Sequence, residues 1–153
     1  MPPPTTDQIV LRDATMDDLH LLMQWRNHPA TRNASRNTAA VDHESHQKWM
    51  QHSLGSDKRM LLIAEIDCRP IGTVRLDLDE VSEISWTVAP EARGKGLGKR
   101  MVMAAVGAVK SPIKAVTRSD NTGSQKIAEA AGFRLIQDDG RWRTYYRDLT
   151  TQS

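Results

Sequence analysis

The sequence holds a single cysteine, Cys68, so no disulfide can form within the chain, and a reducing compartment is the natural setting. Cys68 sits in Asp67-Cys68-Arg69-Pro70, which reads as a tight turn, with no predicted helix N-terminus or neighbouring base to activate a thiol. Charge of one sign is also lacking: 21 Lys and Arg face 19 Asp and Glu, a net charge of +2. A generic nucleic-acid surface is therefore not expected, and any basic chemistry must be local. No apolar run is long enough to span a bilayer, and Met1-Pro2-Pro3-Pro4-Thr5-Thr6 has neither the basic nor the apolar segment of a secretory signal. A cytoplasmic protein with no membrane partner is the expectation. There is no internal repeat, and His43 and His46 have no carboxylate or cysteine at a spacing that completes a site, so no metal is expected.

What is present is an ordinary globular composition, 39% hydrophobic and 26% charged, over 153 residues. That length predicts one domain with a real core. Residues 1–8 read as a disordered, partly polyproline-like tail, and 9–149 as the domain. A short strand over 9–11 is followed by Thr15-Met16-Asp17-Asp18, a cap with an acidic first turn, and by a helix to about Arg26 bearing Leu19, Leu22 and Met23 on one face. A polar stretch from Asn27 to Val41 has no period. Asp42 caps a second helix through Trp49 and Leu54, which Gly55 stops as a C′ glycine would. Strands over 60–66, 71–78 and 83–88 form an antiparallel meander. An apolar helix from Met101, a strand over 115–117, a helix over 122–131 closed by Gly132, and a hairpin of 133–137 with 142–147 around Asp139-Gly140 complete the chain.

Between the third strand of the meander and the apolar helix lies Arg93-Gly94-Lys95-Gly96-Leu97-Gly98-Lys99. Glycines at alternate positions let the backbone turn tightly and approach a ligand, and a helix that starts there turns its N–H groups into the bend, which suits phosphate. A Walker A loop needs four residues between its glycine and Gly-Lys, whereas Gly94 and Gly98-Lys99 are separated by three, with Arg100 at the hydroxyl position. The dinucleotide fingerprint fails because Lys99 stands at its third glycine.

The run does match Arg-x-x-Gly-x-Gly, preceded by Val88-Ala89-Pro90-Glu91, and here the chain resembles the GNAT superfamily of acetyl-CoA-dependent N-acetyltransferases. The order βαα, three strands, α, β, α, β, β extends the resemblance over nearly the whole chain. It implies an α/β (α+β) fold: a mostly antiparallel mixed sheet of about seven strands, splayed between strands 4 and 5, with about four helices. It also implies acetyl-CoA as cosubstrate, gripped by Arg93, Gly94, Lys95, Gly96, Leu97, Gly98 and Lys99. The pantetheine arm is expected along Trp86, Val88 and Ala89, with Asn121 and Ser124 as further contacts on the cofactor side. Glu83 holds the place of the general-base glutamate of several GNAT enzymes, and its strand period sets Glu83, Ser85 and Thr87 on one face. A glutamate simply facing water is the alternative. Many relatives place a proton-donating tyrosine where this chain has Ala128, so the general acid is left to Tyr145, Tyr146 or Ser124, or dispensed with.

Trp25-Arg26-Asn27, Arg32, Ser35, His46-x-x-Trp49 and Arg75 occur in the same order in a GNAT subgroup that includes the pseudaminic acid pathway enzyme, which acts on an amino-sugar nucleotide. By that resemblance these residues would bind a small amine acceptor, the arginines forking onto diphosphate and the tryptophans offering flat faces. Trp25 and Trp49 serve equally well as core anchors. A ribosomal-protein type N-terminal acetyltransferase and a non-catalytic acetyl-CoA-binding module are the alternatives, and a monomer or homodimer is expected.

Overall fold

The first element is β1 (Val10–Asp13), which leads through Ala14 into a reciprocal cap. The Thr15 hydroxyl accepts from the Asp17 N–H, and the Asp18 carboxylate accepts the Thr15 N–H at 2.8 Å. A 3-10 turn, Met16–Asp18, then opens into α1 (Leu19–Asn27). Arg12 fixes this entry to the sheet: its guanidinium donates to both Asp18 oxygens at 2.9 and 2.8 Å and to Glu65 at 3.0 Å. Leu19, Leu22 and Trp25 form the buried stripe of α1. Trp25 therefore takes the inner position expected of Met23, which is half-buried. The computed structural model describes residues 8–29, 31 and 40–148. Most of the expected 1–8 tail, and most of the polar stretch between α1 and the next helix, lie outside the described residues.

Asp42 caps α2 (His43–Leu54) by accepting from the Ser45 N–H at 2.7 Å. Gly55 ends it, but in a right-handed conformation (φ −88°), so the helix stops without the left-handed turn that glycine would have licensed. The strands β2 (Arg59–Ile66) and β3 (Arg69–Asp77) are joined at Asp67-Cys68, both with positive φ (51° and 63°). That is the two-residue reversal whose twist matches the flanking strands. Next, β4 (Ser82–Val88) completes the meander. The helix after the glycine loop, α3 (Leu97–Val106), starts four residues before the expected Met101, so Gly98 and Lys99 belong to its first turn. Then come β5 (Ile113–Arg118), α4 (Thr122–Ala130), β6 (Arg134–Asp138) and β7 (Trp142–Arg147).

All seven strands form one sheet in the order β1-β2-β3-β4-β5-β7-β6, antiparallel except for β4 with β5. That single parallel contact has only two register pairs, Ser82↔Ile113 and Glu83↔Lys114, after which the strands part. The splay expected between strands 4 and 5 is thus present. Pleat alternation divides β3 and β4 between two faces. Gly72, Val74 and Leu76 face α3, whose Met101, Val102 and Ala105 are fully buried, and Thr73, Arg75 and Asp77 lie on the opposite face with Ser85 and Glu83. Among the described residues, no helix is long and apolar enough to cross a membrane.

Candidate active site

A groove of about 890 Å³ opens where β4 and β5 part. One wall is β4 from Glu83 to Val88, the other is Val116 and Thr117 of β5 with the start of α4, and the glycine loop closes one end. Within that loop Gly94 and Gly96 are left-handed (φ 78° and 73°), and a Cβ on either would meet nothing within 4 Å. Their backbone is therefore bare toward the groove. Gly96 is also the N-cap of α3, with no side-chain cap, so the positive end of the helix is turned to the same space. Gly98 serves differently: a Cβ there would come within 2.5 Å of Ile127 Cδ1 and 3.2 Å of Val88 Cγ2, so this glycine lets α3 close on α4 and β4.

The sequence-predicted cofactor residues mostly converge. Trp86, Val88, Arg93, Gly94, Gly96, Leu97, Gly98, Lys99, Asn121 and Ser124 all line the groove. Two do not. Lys95 is exposed outside it, and Ala89 is fully buried with its N–H donated to the Ile71 carbonyl at 2.8 Å, so that amide is already engaged. Arg93 reaches across the fold: its Nε donates to the Val88 carbonyl at 3.2 Å and its Nη2 to the Thr31 hydroxyl at 2.8 Å. Asn121 caps α4 by accepting from the Ser124 N–H at 3.1 Å, and its amide donates to Ser124 Oγ at 3.0 Å.

Glu83 lines the groove at the last paired rung, with Lys114 Nζ 4.0 Å from its carboxylate. Ala128 is fully buried and brings no hydroxyl. Of the three residues considered in its stead, Tyr145 is buried with its hydroxyl on Glu129 at 3.4 Å and Tyr146 lies beneath Arg134, so only Ser124 is on the groove. Thr117, which sequence reasoning missed, also lines it, and its buried Oγ1 has no partner among the described residues.

A second cavity of about 430 Å³ lies between the sheet and the two N-terminal helices. Of the predicted acceptor residues, Trp25, Arg26, His46, Trp49 and Arg75 line it. Asn27 does not: its side chain brackets Val41, donating to the carbonyl at 3.0 Å and accepting from the N–H at 2.8 Å, and so ties the two ends of the polar stretch. Arg32 and Ser35 lie outside the described residues. Thr73, Ser85 and Thr87 complete the sheet wall and had not been assigned to the acceptor: Thr73 is the i−2 neighbour of Arg75, Ser85 its register partner, and Thr87 the register partner of Thr73. His46 stacks on Trp49 with ring centroids 5.6 Å apart. Burial, the largest influence, lowers its pKa below the usual 6.5, and the Arg26 charge pushes the same way against a hydrogen bond to the Leu19 backbone. The imidazole is consequently neutral at neutral pH. Arg26, Arg75, Ser85, Trp86 and Thr87 line both spaces, so cavity and groove adjoin along β4.

A sheet opened beside a bare glycine loop and an uncapped helix start, with a second cavity adjoining it along the opened strand, has the form of a two-substrate transferase. The acetyltransferase (GNAT) domain model matches residues 8–134, and the chain belongs to that family: it is an N-acetyltransferase domain with acetyl-CoA as cosubstrate. No curated protein matches the sequence. Among solved structures, AAC(6')-Ib with ribostamycin and coenzyme A is 22% identical over 96% of this chain and 99% of that one, with a TM-score of 0.82. Spermidine N-acetyltransferase from Vibrio cholerae, with CoA and spermine, is 16% identical over 95% and 98%, TM-score 0.83. RimL, a ribosomal L7/L12 α-N-protein acetyltransferase, with CoA, is 14% identical over 97% and 98%, TM-score 0.81. At these identities the likeness is one of fold.

Proposed function

We propose that the protein acetylates the primary amine of a small acceptor, and that an amino-sugar nucleotide is the class its cavity suits best. The observation that carries this reading is the shared wall: one strand, β4, borders the groove with one set of residues and the cavity with an overlapping set. A donor in the groove and an acceptor in the cavity would meet beside Ser85, Trp86 and Thr87. The cavity supplies two tryptophans and two arginines, which fit a flat base or sugar and a phosphate. Among the described residues it presents no carboxylate to a cationic body, which speaks against a polyamine or aminoglycoside acceptor of the kind bound by two of the fold neighbours. The same cations disfavour a protein N-terminus as acceptor, despite the RimL-like fold.

Acetyl-CoA supplies the acyl group as a thioester. In this reading Gly94, Gly96 and the first turn of α3 receive its diphosphate, Lys99 adds charge at the rim, and Asn121 and Ser124 contact the donor from α4. Arg93 acts by holding the loop to β4 and Thr31. Glu83 removes the amine proton, directly or through one water, before the nitrogen forms its amide bond to the acetyl carbon and the carbon–sulfur bond breaks. Ser124 and Thr117 line the groove with hydroxyls and would donate toward the departing sulfur in this reading. A thiol with a pKa of about 8.5 needs little such help.

The test is thiol release from acetyl-CoA with amino-sugar nucleotides, short peptides, polyamines and aminoglycosides as acceptors, followed by Glu83→Gln. A positioned base contributes roughly 10²- to 10⁴-fold. We expect Glu83→Gln to lower kcat/KM by at least about 10²-fold near neutral pH, the deficit narrowing as the amine itself deprotonates. An unchanged pH profile rejects the role.

A further inference from the structure

The acceptor cavity contains a guanidinium whose pairing is incomplete. Arg75 stands in the middle of β3, opposite Leu61 on one side and Ser85 on the other. Its Nη2 lies 3.2 Å from Asp77, but Asp77 also takes Arg59 Nε at 2.7 Å, and Arg59 in turn donates to Ser53 Oγ at 3.0 Å. One carboxylate thus serves two cations while its neighbours hold it in place. Arg75 Nε is buried and has no hydrogen-bond partner among the described residues. Nearby, His46 Nε2 is likewise buried without a partner. Arg26 adds a second positive charge to the lining, and no Asp or Glu among the described residues contributes to it.

A buried N–H of a charged group that lacks an acceptor is costly, and the apolar walls of Leu22, Trp25 and Leu61 offer it none, while the rest of the Arg75 side chain is partly open to solvent. Folding alone has not met the demand of Arg75, so a ligand oxygen is the group that fits it. We propose that Arg75 determines acceptor specificity by receiving an oxyanion, a phosphate or a carboxylate, carried on the same molecule as the amine. This rests on the cavity being the acceptor site of the transferase, and it defines a class wider than nucleotides: any compact amine with one oxyanion within the cavity's reach. Such an anion is matched by a fork-shaped donor. A second ammonium at the same place would face Arg26 and Arg75 with Asp77 already shared.

The experiment compares glucosamine, glucosamine 6-phosphate, muramic acid and spermidine as acceptors for the wild type, Arg75→Gln and Arg75→Lys, with folding of each variant checked by its thermal midpoint. The two anionic sugars separate phosphate from carboxylate, and glucosamine is their neutral control. The expected result is a kcat/KM for at least one anionic sugar roughly 10- to 100-fold above glucosamine, the scale of one charge-assisted hydrogen bond. Arg75→Gln should erase that preference through KM, the ratio of anionic sugar to glucosamine falling toward one, and Arg75→Lys should restore part of it. A preference for spermidine or glucosamine, or an anionic preference that survives in Arg75→Gln, overturns the proposal. If no amine is acetylated, the functional reading above fails, and the clamp is judged separately. Glucosamine 6-phosphate or muramic acid must then raise the thermal midpoint of the wild type and not of Arg75→Gln, and if neither does, the clamp is refuted too.

Discussion

Replacing Gly72 by alanine probes the joint on which both halves of the site depend. Gly72 faces α3 and is the register partner of Val88, the residue that ends β4 ahead of the glycine loop. A Cβ built there would lie 2.5 Å from Met101 Cε, 2.7 Å from its sulfur and 2.6 Å from the Thr87 carbonyl oxygen. Met101 can swing its terminal methyl at some cost, being fully buried. The Thr87 oxygen cannot move alone, because it belongs to a strand held in register by Thr73↔Thr87 and Gly72↔Val88. Overpacking of a filled core costs about 1–3 kcal/mol, and a backbone clash puts this case in the upper half, about 2–3 kcal/mol. For a domain of this size that lowers Tm by roughly 4–12 °C. The end of β4 must shift to accommodate the methyl, so acetyl-CoA affinity should fall as well. Gly55→Ala is the control. Its right-handed φ and nearest contact of 3.5 Å to Gln51 O leave room, and the stiffer unfolded chain should stabilise the fold by about 0.4–1 kcal/mol. Calorimetric melting and isothermal titration with acetyl-CoA read both effects. A Gly72→Ala variant that melts within about 1 °C of the wild type, or shifts of the same sign for both variants, would refute the packing described here.

Two further expectations concern pH. The folded-state pKa of His46 lies below 6.5, so as pH falls the unfolded chain takes up the proton first; its contribution to stability is complete above about pH 6.5 and is lost as pH drops through the lowered value. Urea unfolding between pH 5 and 8 should show a slope of at most about 1.4 kcal/mol per pH unit that His46→Asn flattens, and an equal slope in the variant would dismiss the assignment. Asp18 is held below its usual 3.8, first by the Arg12 hydrogen bonds, so its stabilisation is present above that value and disappears as pH falls through the folded one. Arg12→Ala should cost about 1–2 kcal/mol at pH 7, the guanidinium being partly open to solvent, and progressively less as pH falls below 3.8. A loss independent of pH would mean that packing, not the ion pair, was removed.

Much of the fold was legible because its signals are local. The caps at Thr15 and Asp42, the Asp67-Cys68 and Asp139-Gly140 reversals and the alternation along β4 each lie within a few residues, and their order implied the topology. What escaped were features made by distant partners. Gly98 resembles its neighbours in the loop, yet its reason is Ile127 on another helix. Ala89 reads as a donor contact until its amide is found engaged by Ile71, and the reach of Arg93 to Thr31 has no local signal. Asn27 looked like part of a binding motif, whereas its side chain closes a chain segment at Val41. The face shared by Glu83, Ser85 and Thr87 was legible in the alternation of β4, and extending the same two-residue period from Arg75 would have added Thr73 to the cavity wall.

The site itself follows from how the sheet divides its hydrogen bonds. Along its length β5 is paired with β7, from Ile113↔Arg147 to Arg118↔Trp142, and β4 with β3, from Asp77↔Glu83 to Gly72↔Val88. Each strand is thus anchored on its outer side, so that twist accumulated on either flank pulls the two apart beyond the Glu83↔Lys114 rung. Two inner edges result, in the middle of a sheet where edges are ordinarily absent. Backbone N–H and C=O groups on such edges require partners. One of them, the Val88 carbonyl, is met by Arg93, which leaves the stretch of β4 between Glu83 and Val88 as the place where a ligand bearing its own amides can pair as a strand would. The same opening brings Glu83, at the last closed rung, beside the acceptor cavity's shared wall, so that a single break in strand pairing creates the donor groove and sets the only carboxylate lining it, among the described residues, at its head.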